Sequence, residues 1–444
     1  MIKAVSHIPD NKRYTKGAYE KLGDRLRRNP QSISESDYEM LQYLRTSYKE
    51  PMSKIFNIID LIANKVDKNC ICTYRIKRID SIVSKLLRFP DMIVNRAEDI
   101  AGCRCILTSQ EAVYKLYDKI LKVLDKYQLE IKGKVHDYID NPKESGYQSI
   151  HLNLTLKGDN RRVEIQLRTL EQHNWATLVE ITDLLYGLKL KEIGPESDES
   201  LYQLHQLLSK PLTRLSKQDI YCISDNVITY DYIRRIGDVF SKNYIDVRKH
   251  WYTLKKQRNY FYLISTGQDG IPDIQSFSNF DQAEACYFDS FINNGSNKNI
   301  VLTHIRNTNF AKISAAYSNY FLTYNSTLLK ILICLSKAVE ISFKRHRVSA
   351  FRKYYKAFLD IMLFWMQNQI LEMNSFAQNK NVTKSKKIYN EWGQTIVDGV
   401  YAFTDIFQST HLKLRLRLYN IIIYRVMKKM NNDFHATADM FIKS

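Results

Sequence analysis

Glycine and proline are scarce in this chain, 14 and 8 among 444 residues. Both interrupt regular structure, so their scarcity predicts a helix-rich protein. Cysteine is sparse as well. Seven thiols, an odd number spread thinly, fit reduced side chains better than a disulfide framework. Two C-x-C pairs, Cys70/Cys72 and Cys103/Cys105, would each place both thiols on one strand face. No C-x-x-C or nearby His supports a zinc site, so buried core thiols are expected. Long apolar runs are missing too. The most apolar stretch, LLKILICLSKAVEISF, is cut by Lys330, Lys337 and Glu340 well short of a membrane span. The start, MIKAVSHIPDNKRYTK, has no apolar core of the kind a signal peptide needs, so the expectation is a cytosolic protein without a membrane partner.

Charge is unevenly placed. Residues 1–200 hold 33 Lys and Arg against 29 Asp and Glu, a balance of +4. Residues 201–444 hold 33 against 18, a balance of +15. A basic half beside a nearly neutral half points to an anionic partner, RNA first, the alternative being a solvated basic surface.

A chain of this length is expected to form two or three domains. Residues 1–68 read as N-terminal helices, with cap-like Ser34 and Ser36 ahead of apolar spacings of three and four through Leu44. Across 69–190 the period shortens. CICTYRI, GCRCILT, LEIKGKV, SIHLNLTL and RRVEIQLR read as five strands, with helices between some of them and a longer helix, LEQHNWATLVEITDLLYGL, closing the unit. That mixture predicts an α+β fold with a mixed sheet flanked by helices. KEIGPESDES reads as a linker. Residues 201–345 are expected to hold a helix and a small separate α+β domain, and 346–444 a basic helical region.

The chemistry is concentrated in the first half. RIKRIDSIVSK puts Arg75 and Lys77 on one strand face, then Ser81 and Lys85 one turn apart on a helix, a set suited to a triphosphate. EDIAGCR brings Asp99 and Arg104, and VEIQLRT places Glu164, Gln166 and Arg168 on one side of a strand. Between them, DYIDNPKESGYQSIH is too decorated for a bare turn. Pro142 and Gly146 shape it, Tyr147 offers a flat ring, and Lys143 and His151 offer hydrogen-bonding heads. Two separated carboxylates among many cations are what Mg²⁺-dependent phosphoryl chemistry requires.

In this order and spacing the segments resemble the RelA/SpoT-type synthetase family, whose pattern runs R-x-K-x-x-x-S-x-x-x-K, D-I-A-G-x-R, D-Y-I-x-x-P-K-x-x-G-Y-x-S-x-H and E-I-Q-x-R-T. The match spans Thr73 to Gly187, about a quarter of the chain. The resemblance implies a nucleotidyltransferase-like sheet and a pyrophosphokinase that moves the β,γ-pyrophosphate of ATP onto a ribose 3′-hydroxyl and releases AMP. By that resemblance, Arg75 and Arg104 sandwich adenine, and Lys77, Ser81 and Lys85 hold its phosphates. Asp99 and Glu164 bind Mg²⁺, with Lys77 and Arg75 completing the catalytic set. Tyr147 stacks the acceptor base, with Lys143, Gln148, His151, Gln166, Arg168 and Asn174 around the acceptor.

Two departures stand out. Gln148 occupies a position where many members carry Arg, and the closing helix lacks the family's E-H pair. The chain thereby resembles the small toxic branch, some members of which modify the 3′ end of tRNA. No hydrolase pattern precedes the synthetase segment. Three readings follow: alarmone synthesis on GDP or GTP, the same transfer onto tRNA as a toxin with a regulatory or antitoxin partner, and a catalytically inactive RNA- or partner-binding module.

Overall fold

The computed structural model describes residues 14–237, 260–266, 272–293, 300–305, 324–358 and 360–361. Those up to Tyr354 form one compact unit, and most of the expected helical region at 346–444 lies outside the described residues. Three helices open the chain: α1 (Lys16–Arg28), α2 (Glu35–Thr46) and α3 (Lys49–Val66). Thr15 and Ser34 cap the first two, each side-chain oxygen accepting from a backbone N–H three residues on. In α3, Met52, Ile55, Phe56 and Ile59 recur at three and four, and all are fully buried.

Among the described residues a nine-stranded mixed sheet follows. In chain order it comprises β1 (Ile71–Ile76), β2 (Ala101–Leu107), β3 (Leu129–Ile131), β4 (His136–Asp137), β5 (Ile150–Leu156), β6 (Val163–Thr169), β7 (Phe261–Thr266), β8 (Pro272–Phe277) and β9 (Ile300–His304). Their spatial order is β3-β5-β6-β2-β1-β9-β7-β8, with β4 paired to β5. Among the described strands, only the pair β2–β6 is parallel. Alternation sorts the faces. On β2, Cys103 and Cys105 point into the core while Gly102 and Arg104 do not. Phe56 of α3 meets Tyr74 of β1 edge-on at 5.5 Å, so α3 covers that apolar face. The expected α+β class with a mixed sheet flanked by helices is what the protein adopts.

The division at residue 201 does not hold for the strands. β7, β8 and β9 do not build a separate small domain; β9 pairs antiparallel with β1 and continues the same sheet. Helix α10 (Phe280–Asn293) seals the junction. Its Glu284 accepts a hydrogen bond from the Tyr74 hydroxyl at 2.9 Å, and its Tyr287 hydroxyl accepts from the Ile76 N–H at 2.8 Å. The physical reason is edge satisfaction, since β1 would otherwise present unpaired N–H and C=O groups.

Between β1 and β2 lies α4 (Ile79–Arg88), and α5 (Gln110–Val123) follows β2. After β6 runs α6 (Leu170–Tyr186), opened by a capping box of Thr169 and Gln172. The expected linker at 191–200 is instead structured, with a short helix α7 (Leu190–Ile193) leading to α8 (Glu199–Ser209). Helix α9 (Lys217–Thr229) packs on α8 and on α11 (Tyr324–Lys344). No helix among the described residues is long and apolar enough to cross a membrane.

Candidate active site

The polar face of the sheet carries two rows of side chains set by strand register. One row runs His151, Gln166, Arg104, Thr73 across β5, β6, β2 and β1. The other runs Asn153, Glu164, Gly102, Arg75. A slip of one residue in any strand would turn its contribution to the opposite face. Gly102 sits between Glu164 and Arg75 with no side chain of its own, which leaves open floor between an acid and a cation. That floor belongs to a cavity of about 640 Å³.

Twelve of the fourteen residues expected from the sequence line this one cavity: Arg75, Lys77, Ser81, Lys85, Asp99, Arg104, Lys143, Tyr147, His151, Glu164, Gln166 and Arg168. Gln148 and Asn174 do not. The Gln148 side-chain oxygen accepts from Gln172 Nε2 at 3.2 Å, and Asn174 is buried within α6.

The geometry falls into two ends. At the first, Lys77 follows β1 and is held in place by its backbone. Its N–H donates to the Ile100 carbonyl at 2.8 Å, and its own carbonyl accepts from Arg45 Nε at 2.9 Å. The Lys77 ammonium and that of Lys85, the latter at 2.8 Å, both donate to Asp99. Burial would raise the Asp99 pKa, but the two ammonium groups outweigh it and hold the carboxyl below the usual range. Burial pushes Lys77 down. Ser81 and Lys85 share a face of α4 because they lie four apart, and Ile79, Ile82, Val83 and Leu86 bury the other side.

At the second end, Glu164 accepts from Gln166 Nε2 at 2.8 Å and is bonded to His151 Nδ1 at 3.0 Å. Burial would raise the Glu164 pKa; the contact with His151 reverses this and lowers it. His151 Nε2 meets the Tyr147 hydroxyl at 2.8 Å, giving a continuous chain Tyr147–His151–Glu164. The Lys143 ammonium lies 4.5 Å from the Tyr138 ring centre and 5.4 Å from that of Tyr147. The Asp99 charge raises the Glu164 pKa against the stronger lowering effects. Two ionised carboxylates on one cavity wall fit Mg²⁺, which takes one or two carboxylates and leaves its other positions to water and phosphate oxygens. No group of three or more His, Cys, Asp or Glu side chains placed to hold a metal ion occurs among the described residues.

Several residues of the cavity wall escaped sequence reasoning, Glu180 foremost. Glu180 of α6 lines the cavity and pairs with Lys191 of α7. Burial would raise its pKa, but Lys191, Arg104 and Arg75 bring it down to about 2. Arg104 in turn is lowered to about 10 by burial, with Arg168 adding to the effect and Glu180 opposing it. A lone acid in the apolar run ATLVEI was the available signal. From beyond the motif region, Lys191, Glu192, Tyr202, His205 and Val301 also reach the wall.

Residues 74–188 match the family described as "Region found in RelA / SpoT proteins". Among curated relatives, the "GTP pyrophosphokinase YwaC" of Bacillus subtilis is 36% identical over 115 residues, which is 23% of this chain and 53% of that protein. The "Probable GTP diphosphokinase RSH3, chloroplastic" of Arabidopsis thaliana is 33% identical over 141 residues, 31% of this chain and 18% of that one. The chain thus spans about half or less of the length of these relatives. A solved structure of the small alarmone synthetase 2 of Bacillus subtilis aligns at 30% identity over 36% of this chain and 87% of that chain, with a TM-score of 0.28.

Proposed function

Starting from residues 74–188 as a RelA/SpoT region, we propose that this protein is an ATP-dependent pyrophosphokinase acting on a guanosine nucleotide. The β,γ-pyrophosphate of ATP passes to the 3′-hydroxyl of GDP or GTP, and AMP leaves. The observation that carries this reading is convergence. Residues drawn from β1, α4, β2, the loop before β5, and β6 meet in one cavity with the cations and carboxylates such a transfer needs. Curated relatives named as a GTP pyrophosphokinase and as a probable GTP diphosphokinase support it.

Each side chain then has work to do. Lys77, Lys85 and Ser81 bind the ATP phosphates and stabilise charge spread over their oxygens. Arg75 and Arg104 flank the adenine. Asp99 and Glu164 would hold Mg²⁺, which supplies charge neutralisation at the transferred group. Glu164 is held ionised and can accept the 3′-hydroxyl proton, while His151 and Gln166 keep its carboxylate oriented. Tyr147 stacks the acceptor base, with Lys143, beside its ring, near the acceptor phosphates.

A second reading keeps the chemistry and changes the acceptor to the 3′-terminal adenosine of tRNA, in a toxin held by a regulatory or antitoxin partner. Two observations favour it: the +15 balance of residues 201–444, and the Gln148 side chain tied to Gln172, which leaves the acceptor loop one cation poorer. A catalytically inactive module is disfavoured by the intact, convergent Lys77, Asp99 and Glu164. The deciding experiment incubates purified protein with γ-labelled ATP and GDP, GTP or deacylated tRNA, then resolves products by thin-layer chromatography and gel. Label on the guanosine nucleotide is the expected result. Label on tRNA alone establishes the second reading, and label on neither overturns both.

A further inference from the structure

The tip of the acceptor loop is tied to itself only locally, by Gly146 N–H to the Lys143 carbonyl at 2.8 Å and Lys143 N–H to the Tyr147 carbonyl at 3.2 Å. Nearer the sheet, Tyr138 N–H donates to the Ser149 carbonyl at 2.9 Å and the Tyr147 hydroxyl meets His151 at 2.8 Å. Residues Asn141 to Glu144 are exposed. A loop so loosely tied would have to be ordered each time a base stacks on Tyr147, and that ordering entropy would be subtracted from acceptor affinity.

Helix α8 lies against this loop. Gln206 Nε2 donates to the Glu144 carbonyl at 2.8 Å. Ser209 presses on Gly146 so closely that a Cβ there would stand 2.3 Å from its Oγ and 2.7 Å from its Cβ. Gly146 also has φ +93°, so glycine is required twice, by space and by backbone. The Trp175 indole N–H donates to the His205 carbonyl at 2.8 Å, and the Trp175 ring centre is 6.4 Å from that of Tyr147. Tyr202 and His205 of α8 line the cavity itself. The C-terminal end of α8 is fixed in its turn, because the buried Lys330 ammonium of α11 donates to the Leu208 and Lys210 carbonyls.

We infer that α8, which lies outside the RelA/SpoT region, is a scaffold that pre-forms the acceptor loop, and that Gln206 is a positioning residue for the acceptor nucleotide. This rests on the proposed transfer reaction, but its first test does not. Gln206 is partly exposed, so its substitution leaves the core intact.

The full-length chain is compared as wild type, Gln206→Ala, Gln206→Glu and Gln206→Lys. Glu keeps the shape but brings no donor to the carbonyl; Lys restores one. Amide hydrogen exchange of the apo protein is read first, over 143–149 with β6 as internal control. The Ala and Glu variants should exchange faster in the loop alone, and the Lys variant should resemble wild type. In the transfer assay the Ala and Glu variants should raise the acceptor KM about three- to tenfold, the scale of one neutral hydrogen bond, with the ATP KM unchanged. Unchanged loop exchange overturns the inference. So does faster exchange with no change in acceptor KM, or better acceptor use by the variants, which would make α8 a restraint. If wild type transfers to no acceptor, the functional reading has failed, while the exchange data still decide whether α8 orders the loop.

Discussion

The Thr303 hydroxyl donates to the Cys72 carbonyl at 3.0 Å, joining β9 to β1 across 231 positions of sequence. On the same strand, His304 stands opposite Cys72 in register and is bonded through Nδ1 to Asp60 of α3 at 2.7 Å. The strand that carries Arg75 is therefore flanked by residues from far beyond the RelA/SpoT region. A chain ended after Lys191 would expose the β1 edge and the apolar surface under α10. We expect it to be insoluble or to associate, measured by size-exclusion chromatography against full-length protein. A soluble, active monomer would show that the added strands are dispensable.

Removing charge at the two carboxylates separates chemistry from folding. Asp99→Asn and Glu164→Gln keep the side-chain shape, and each should lower kcat by at least about a hundredfold, because catalysis of phosphoryl transfer is mostly electrostatic. Circular dichroism should be unchanged. Turnover near the wild-type rate in either variant would remove that residue from the Mg²⁺ assignment.

Tyr147 has a ring and a hydroxyl with different partners. Tyr147→Ala should raise the acceptor KM about ten- to a hundredfold, the cost of a lost base stack, and leave the ATP KM alone. Tyr147→Phe keeps the ring and loses the hydroxyl's bonds to His151 and Arg168, so its acceptor KM should stay within about tenfold of wild type. Equal damage to the ATP KM would place the loop at the donor.

Acid stability should carry a signature of His205. Burial depresses its pKa from 6.5 to about 3, so the folded protein keeps it neutral where the unfolded chain protonates it. Its contribution is fully present above pH 6.5 and is lost as pH falls from 6.5 towards 3, at up to roughly 1.4 kcal/mol per pH unit. Urea midpoints of wild type and His205→Gln should therefore converge on acidification. Parallel curves from pH 7 to 4 would refute it.

Thiol reactivity should divide in two. Cys70, Cys72, Cys103, Cys105 and Cys334 are buried, and Cys222 and Cys286 are half-exposed. A thiol reagent should titrate about these two in native protein and the rest only in denaturant. Fast native reaction of the C-x-C pairs would mean that β1 and β2 open.

Much of the site was legible without coordinates. Alternation in CICTYRI, GCRCILT and RRVEIQLR sorts cation and acid to one face and thiol and aliphatic to the other, because a strand repeats every two residues. Four-residue spacing does the same for Ser81 and Lys85. Those are local properties, and the residues they selected line the cavity. Gln148 and Asn174 do not line the cavity, because the Gln148 side chain turns to Gln172 and Asn174 is buried in α6. The acidic, Gly-Pro stretch read as a linker forms α7 and the turn before α8, since Lys191 and Glu192 find partners in Glu180 and Arg88 that composition cannot reveal.

What the amino-acid sequence determined by itself is which polar groups are available and the face each one occupies, because both follow from residue type and a period of two or four. What only the tertiary structure decided is which distant strands share a sheet and which helix stands beside the loop before β5. β9 lies against β1 and α8 against Gly146 because edge pairing and close packing reward whatever surface the folded chain brings there, and no local pattern names that partner.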